Sequence, residues 1–349
     1  MPRILITGNM GYVGSVLVRH LRQRLPQAEL TGFDSGLFGH CLTGASVLPE
    51  RFLDRQIYGD TREIDLEVLR GIDAVVHLAA VSNDPMGDKF AQATEEINLQ
   101  ATVRLATLAA EADVRSFVFA SSCSVYGAGS DRSRRESDDV DPLTHYAKSK
   151  VDAERRLAQI DQRGMSISCL RFATACGMSE RLRLDLVLND FVATASLTGR
   201  VDVLSDGTPW RPLIAVDDMA RAIEWAIGRP REAGGDRLIV NVGSDSWNFN
   251  VRALAEAVTK SRPGLDLSIN TAAPADRRSY RVDFGLFRQL APDHLPTATI
   301  EGTIGKLFDG VDAMALSEEE LRQRRYARLS ELNRQIDAGL IDGQLRRQG

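Results

Sequence analysis

Short apolar runs rich in β-branched residues alternate with amphipathic stretches over the first half of the chain. Arg3–Thr7, Leu30–Phe33, Ala74–Leu78, Ser116–Ser121 and Ser166–Leu170 have strand length and strand composition. Between them Tyr12–Leu25, Ala91–Ala112 and Tyr146–Gln162 place apolar residues at helical spacing. This alternation requires right-handed crossovers and predicts an α/β fold, a doubly wound parallel sheet whose ligand crevice lies at the carboxyl ends of the strands.

After Gly177 the pattern loosens into a helix near Leu184–Leu197, a strand-turn segment through Gly207–Pro209 and a helix near Asp217–Ile227. The chain is expected to pass between two lobes here. Beyond Asn248 it holds short helices, a strand at Asp266–Ile269 and, from Ser317, a tail of helical period and alternating charge that either covers a ligand site or caps the second lobe. The expected division is a nucleotide-binding domain over 1–176, with return segments at about 205–245. A smaller C-terminal α/β lobe then takes 177–204 and 246–349, tail included.

With 43% hydrophobic and 26% charged residues in 349, the chain can bury a large core and is neither disordered nor membrane-embedded in composition. A formal charge of -5 offers no basic field for nucleic acid. The first apolar run meets Gly8 at once and is followed by Arg19, Arg22 and Arg24, so no secretory signal is expected, and no stretch is long enough for a bilayer. Cys41, Cys123, Cys169 and Cys176 are scattered, with neither a disulfide framework nor a metal site in their spacing. A reducing cytoplasm is the expected location.

The chemistry begins where Arg3–Thr7 runs into Gly8-Asn9-Met10-Gly11-Tyr12-Val13-Gly14. Gly8 permits a tight turn, Gly11 lets backbone approach a phosphate, and Gly14 lets the helix pack closely. Asp34, twenty positions after Gly14, can accept from both adenosine ribose hydroxyls and repels a 2′-phosphate, which favours NAD over NADP. Gly59-Asp60-Thr61-Arg62 closes a third strand and would bring Asp60 near the adenine amino group. Tyr146 and Lys150, four apart on a predicted helix, share a face, and an ammonium beside a phenol favours the phenolate. Ser121-Ser122-Cys123-Ser124-Val125-Tyr126-Gly127 puts hydroxyls at the carboxyl end of another strand.

Together these segments resemble the extended short-chain dehydrogenase/reductase family, and within it the NAD-dependent nucleotide-sugar epimerases and dehydratases. The resemblance extends through His77-Leu78-Ala79-Ala80, Leu170-Arg171-Phe172, Gly207-Thr208-Pro209-Trp210-Arg211 and Asn241-Val242-Gly243. It implies a Rossmann fold holding NAD through Gly8, Met10, Gly11, Tyr12, Val13, Gly14, Asp34, Asp60, Thr61, Leu78, Ala79, Ala80, Asn98, Tyr146 and Lys150. Ser122 would bond the reacting sugar oxygen, Tyr146 would be the base and Lys150 its partner. It places Arg211 on the substrate diphosphate and Asn189 at the nucleotide end. The run Asp276-Arg277-Arg278-Ser279-Tyr280-Arg281-Val282-Asp283 would close the site through Arg278 and Arg281, unless it is a solvated face. Ser82, Cys123, Ser124 and Thr174 complete the expected substrate contacts. A homodimer through helices Ala91–Ala112 and Tyr146–Gln162 is also implied.

Dehydratases of this family carry Asp-Glu after the catalytic hydroxyl, where this chain has Cys123 and Ser124, and decarboxylases keep a Glu at the place of Ser124. Oxidation of a sugar carbon with return of the hydride remains, and with it an epimerase, C4 being the expected position. Thr174 and Ser82 depart from the residues common in 4-epimerases, and Cys123 is either a proton donor or a structural thiol. The alternatives are a nucleotide-sugar reductase or dehydratase and, outside enzymes, a silent NAD-binding sensor.

Overall fold

The computed structural model describes residues 1–128, 132–273 and 278–348. Its centre is a seven-stranded parallel sheet in the order β10-β6-β5-β4-β1-β2-β3. The strands are β1 (Arg3–Thr7), β2 (Glu29–Asp34), β3 (Arg55–Tyr58), β4 (Ala74–His77), β5 (Ser116–Ser122), β6 (Ser166–Phe172) and β10 (Arg237–Val242). Strand order reverses between β1 and β4, and there Thr7 stands level with Phe33 on one side and His77 on the other. Gly8, Asp34 and Leu78 therefore leave the sheet side by side, at the switch point where such sheets bind ligands.

Both faces of the sheet are covered, so alternate strand residues feed two different cores. Ile4 and Ile6 face one, with Val16, Leu17 and Leu21 of the Tyr12–Arg24 helix and Ile223 of the Val216–Gly228 helix. Leu5 faces the other, with Leu105 and Ala109 of the Ala101–Glu111 helix and Ala153 and Leu157 of the His145–Leu157 helix. The first core continues without a break into the second half of the chain, where Leu188, Leu254, Leu307 and Phe308 join it. Two small sheets lie in that half. One is β11-β9-β7, from Asn248–Asn250, Trp210–Ala215 and Thr174–Cys176; the other pairs β12 (Asp266–Ile269) with β8 (Arg200–Val203).

Three expectations need adjusting. The helix expected to reach Gln162 stops at Leu157, because Gln159 and Asp161 offer nothing to bury and the chain turns through Arg163 at φ 46°. The stretch from Ala91 to Glu111 is helical throughout but contains a π-helical turn over Glu96–Gln100. The tail does more than cap the second lobe: Leu332, Ile341 and Leu345 pack with Leu37 and Phe38 beyond β2 and with Val81 and Met86 beyond β4. Arg324, Arg328, Leu332 and Leu345 of the tail thereby line the crevice at the sheet's switch point. Among the described residues no helix is long and apolar enough to cross a membrane.

Candidate active site

The turn after β1 is shaped by its glycines. Gly8 has φ +76°, and a Cβ there would meet the Ala79 backbone nitrogen at 2.6 Å. A Cβ on Gly14 would lie 2.3 Å from the Gly8 carbonyl oxygen, so only glycine lets the helix rest on the turn. That helix begins at Tyr12 with no side-chain cap and no acid in its first turn, leaving backbone N–H groups and the positive dipole end aimed into the cleft.

Asp34 is fixed by two backbone donors, Met10 N–H to Oδ2 at 3.0 Å and Gly36 N–H to Oδ1 at 2.7 Å. Burial raises its pKa against the pull of those two bonds. Asp60 is also engaged: Arg62 donates to both its oxygens, and this pairing outweighs burial and lowers the carboxyl pKa.

A single cleft of 710 Å³, a volume typical of a cofactor and substrate site, runs from this turn to the second lobe. It is lined at one end by Gly8, Gly11, Tyr12, Val13, Gly14, Asp34, Asp60, Thr61, Leu78, Ala79 and Ala80. Its lining also includes Ser82, Ser122, Ser124, Tyr146, Lys150, Thr174, Arg211 and Arg278. Helix His145–Leu157 presents Tyr146 and Lys150 because Thr144 caps its start, accepting from Ala147 N–H, while Thr144 Oγ1 donates to Asp84 at 2.7 Å.

Lys150 Nζ donates to the Ala120 carbonyl at 2.8 Å and lies 5.8 Å from the centre of the Tyr146 ring. Burial pushes the ammonium down to about 7, with Glu154 one turn on opposing the shift. Burial pushes the Tyr146 phenol up to about 12. The Ser122 hydroxyl and the Arg183 guanidinium favour its ionised form, while Asp84 and Cys123 oppose it. Arg183 is thus a charge favouring the phenolate that the motif reading did not include.

Five expected residues do not line the cleft. Met10 contributes its backbone N–H to Asp34. Asn98, in the π-helical turn, accepts from Val81 N–H at 2.8 Å and donates to the Val81 carbonyl at 2.9 Å and to Ser149 Oγ at 3.0 Å, tying the loop after β4 to the Tyr146 helix. Cys123 is buried, its thiol donating to the Arg171 carbonyl, and burial raises its pKa well above the ordinary thiol range, which suits a structural group and not a proton donor. The Asn189 amide accepts from Gly177 N–H and donates to the Arg183 carbonyl and Tyr12 Oη, so it braces the segment beneath the cleft. Arg281 stacks over the Trp210 ring and borders a separate cavity with Asp245 and Asp283. Asp276 and Arg277 of that run lie outside the described residues.

The structure also brings in residues that the motifs missed. Arg183 is buried beside the cleft, bonded to both oxygens of Asp185 at 3.0 and 2.9 Å and to Ser82 Oγ at 3.1 Å. Asn83 Nδ2 donates to Asp185 at 2.6 Å, holding the pair in place. Asp84, Tyr280 and, from the tail, Arg324, Arg328, Leu332 and Leu345 complete the walls. His40, Cys41 and Glu331 approach one another closely enough to share a cation, but they lie outside this cleft, and Glu331 is already bonded by His40, Arg334 and Gln335.

The uncapped helix start over a turn that admits no Cβ fits a dinucleotide diphosphate, with Asp34 placed for the ribose. Comparison with known proteins agrees. The chain is 28% identical over 252 residues to the uncharacterized UDP-glucose epimerase YtcB of Bacillus subtilis, covering 69% of this chain and 76% of that protein. The solved structure of MoeE5 in complex with UDP-glucose and NAD is similar at a TM-score of 0.73 and 27% identity, over 89% of this chain and 98% of that one. TunA, a solved NAD-dependent NDP-hexosamine 5,6-dehydratase of tunicamycin biosynthesis, shares the fold at a TM-score of 0.76 and 22% identity, over 89% and 98% of the two chains. The profile of the NAD dependent epimerase/dehydratase family matches residues 4–243, and the chain belongs to that family.

Proposed function

We propose that the protein inverts a stereocentre, at C4, of a nucleotide-activated sugar. The observation that carries this reading is the convergence of Ser122, Tyr146 and Lys150 in one cleft, between the glycine turn and the arginines Arg211 and Arg278. When bound, NAD supplies a hydride acceptor and later donor, so the reaction needs no net oxidant. Tyr146 takes the sugar hydroxyl proton as the carbon is oxidised and returns it after the keto sugar has turned over. Ser122 holds the same oxygen, and Lys150 supplies positive charge beside the base and a donor for the cofactor ribose. Arg211 and Arg278 offer guanidinium groups to the substrate diphosphate. Residues 177–204 and 246–349 form the sugar-nucleotide lobe, and the protein works in the cytoplasm as a homodimer through the helical stretch Ala91–Glu111 and the helix His145–Leu157.

Elimination of water needs an additional acid and base near the sugar. Cys123 is held as a buried thiol on the Arg171 carbonyl, which supports the epimerase over the dehydratase. One observation favours the second reading: Asp84 lines the cleft near Tyr146, bonded to Thr144 and paired with Arg278 at 3.1 Å. Proton NMR of products from UDP-, GDP-, CDP- and dTDP-sugars separates the two. An inverted stereocentre without net NADH is the expected result; a keto-deoxy product establishes the dehydratase, a reduced sugar the reductase, and unchanged sugars with tight NAD binding the sensor.

A further inference from the structure

The tail brings a cation into the cofactor end of the cleft. Arg328 opens the Arg328–Asp337 helix, is 2% exposed and lines the cleft with Leu332 and Leu345. Its guanidinium lies 4.8 Å over the Phe38 ring, and Nη2 donates to the Arg181 carbonyl at 2.8 Å. Nη1 is buried with no hydrogen-bond partner.

Two more guanidiniums stand close by, and both are neutralised. Arg181 pairs with Glu50 and also donates to Ser15 Oγ on the Tyr12–Arg24 helix, and Arg183 pairs with Asp185. Among the described residues no carboxylate pairs with Arg328. Burial pushes its pKa down to about 10, and the nearby charges of Arg183 and Arg181 press the same way, against Cys41 and Asp185. A buried guanidinium with an unused donor is costly unless an anion meets it. The cluster borders the first turn of the Tyr12–Arg24 helix, where Arg181 bonds Ser15, and Arg183 bonds Ser82 beyond β4.

We propose that Arg328, carried by the C-terminal tail, meets the diphosphate of the bound NAD through its unused Nη1, so that the tail is a working part of the cofactor site. Guanidiniums suit this task because their planar fork matches two phosphate oxygens at once. The assignment does not depend on the reaction catalysed.

The test uses the full chain with Arg328→Met and Arg328→Lys. NAD carried through purification is quantified after rapid desalting, and the freed protein is titrated with NAD, ADP-ribose, adenosine and UDP. Arg328→Met is expected to weaken NAD and ADP-ribose by tenfold to a hundredfold and to leave adenosine and UDP within twofold, with Arg328→Lys recovering part of the loss. The melting temperature of the NAD-free Arg328→Met protein is expected to equal or exceed that of the wild type, since an uncompensated buried charge has gone. NAD and ADP-ribose affinities within twofold of wild type would overturn the proposal. So would a loss confined to UDP, which would assign the guanidinium to the substrate's diphosphate. An equal loss for NAD, ADP-ribose and adenosine with a lower melting temperature would make Arg328 a packing residue only.

Discussion

At the scale of single residues, the site depends on groups whose burial sets their protonation. Tyr146 is held neutral by burial, at about 12, so the proposed role as base depends on the positive charge gathered around it. Removing the phenol in Tyr146→Phe is expected to lower turnover by about 10²–10⁴-fold in a protein that still folds and carries NAD, as stopped-flow kinetics on the NAD-loaded variant can establish. His77 shows the same physics applied to stability. It is bonded to Thr7 Oγ1 at 2.6 Å and Thr102 Oγ1 at 2.8 Å, and burial, helped by Lys150, pushes its pKa from 6.5 down to about 3. Above 6.5 both folded and unfolded forms are neutral and the full stability is present. As pH falls toward 3 only the unfolded chain takes the proton, so stability drops by up to about 1.4 kcal/mol per pH unit. Urea midpoints measured from pH 7 to pH 4 should fall accordingly, and His77→Gln should flatten that slope.

The elements explain what could be read in the sequence and what could not. The central strands were legible as apolar runs because both their faces are buried, and the glycine turn because only its spacing satisfies two backbone approaches. The edge strand Arg55–Tyr58 carries little apolar signal and was located only by the Gly59-Asp60 that follows it. In the run Arg181-Leu182-Arg183-Leu184-Asp185-Leu186 a charge occupies every second position. That alternation is the available signal for Arg183 and Asp185, and the helix expected near Leu184–Leu197 begins only after it, at Val187. The path of the tail had no local signal, because its contacts are remote in sequence, as when Gln335 Nε2 donates to the Leu37 carbonyl.

Asn98 was placed near the active site by resemblance alone; the structure supplies its physical reason in the π-helical turn, which aims the amide at the loop after β4. Asn98→Ala would leave the buried Val81 N–H without its acceptor and free the Tyr146 helix from that loop. A loss of about 1–3 kcal/mol in urea unfolding is expected, together with slower turnover. A neutral outcome on both would show that the turn holds its shape without the amide.

On the scale of the whole molecule, the decisive feature is that one core joins both halves. Ile4 and Val240 of the main sheet belong to the same packed cluster as Leu188, Leu254, Leu307 and Phe308, and the tail returns from the far end to cover the first crevice. The two regions share buried apolar surface, so neither can lose its packing without exposing the other. Thermal unfolding of the full chain should therefore be a single calorimetric transition, and a fragment ending near residue 176 should not fold. The cleft proposed to hold NAD exists only in the folded chain, so NAD is expected to stabilise by mass action, by about 2.7 kcal/mol at a hundred times its dissociation constant. With an unfolding entropy of about 2.1 cal/mol/K per residue, that corresponds to a rise in melting temperature of about 4 °C for a chain of this length. Two separated transitions, with only the first moved by NAD, would instead mean that the shared core is weaker than its burial implies and that the cofactor domain and the sugar-nucleotide lobe fold on their own.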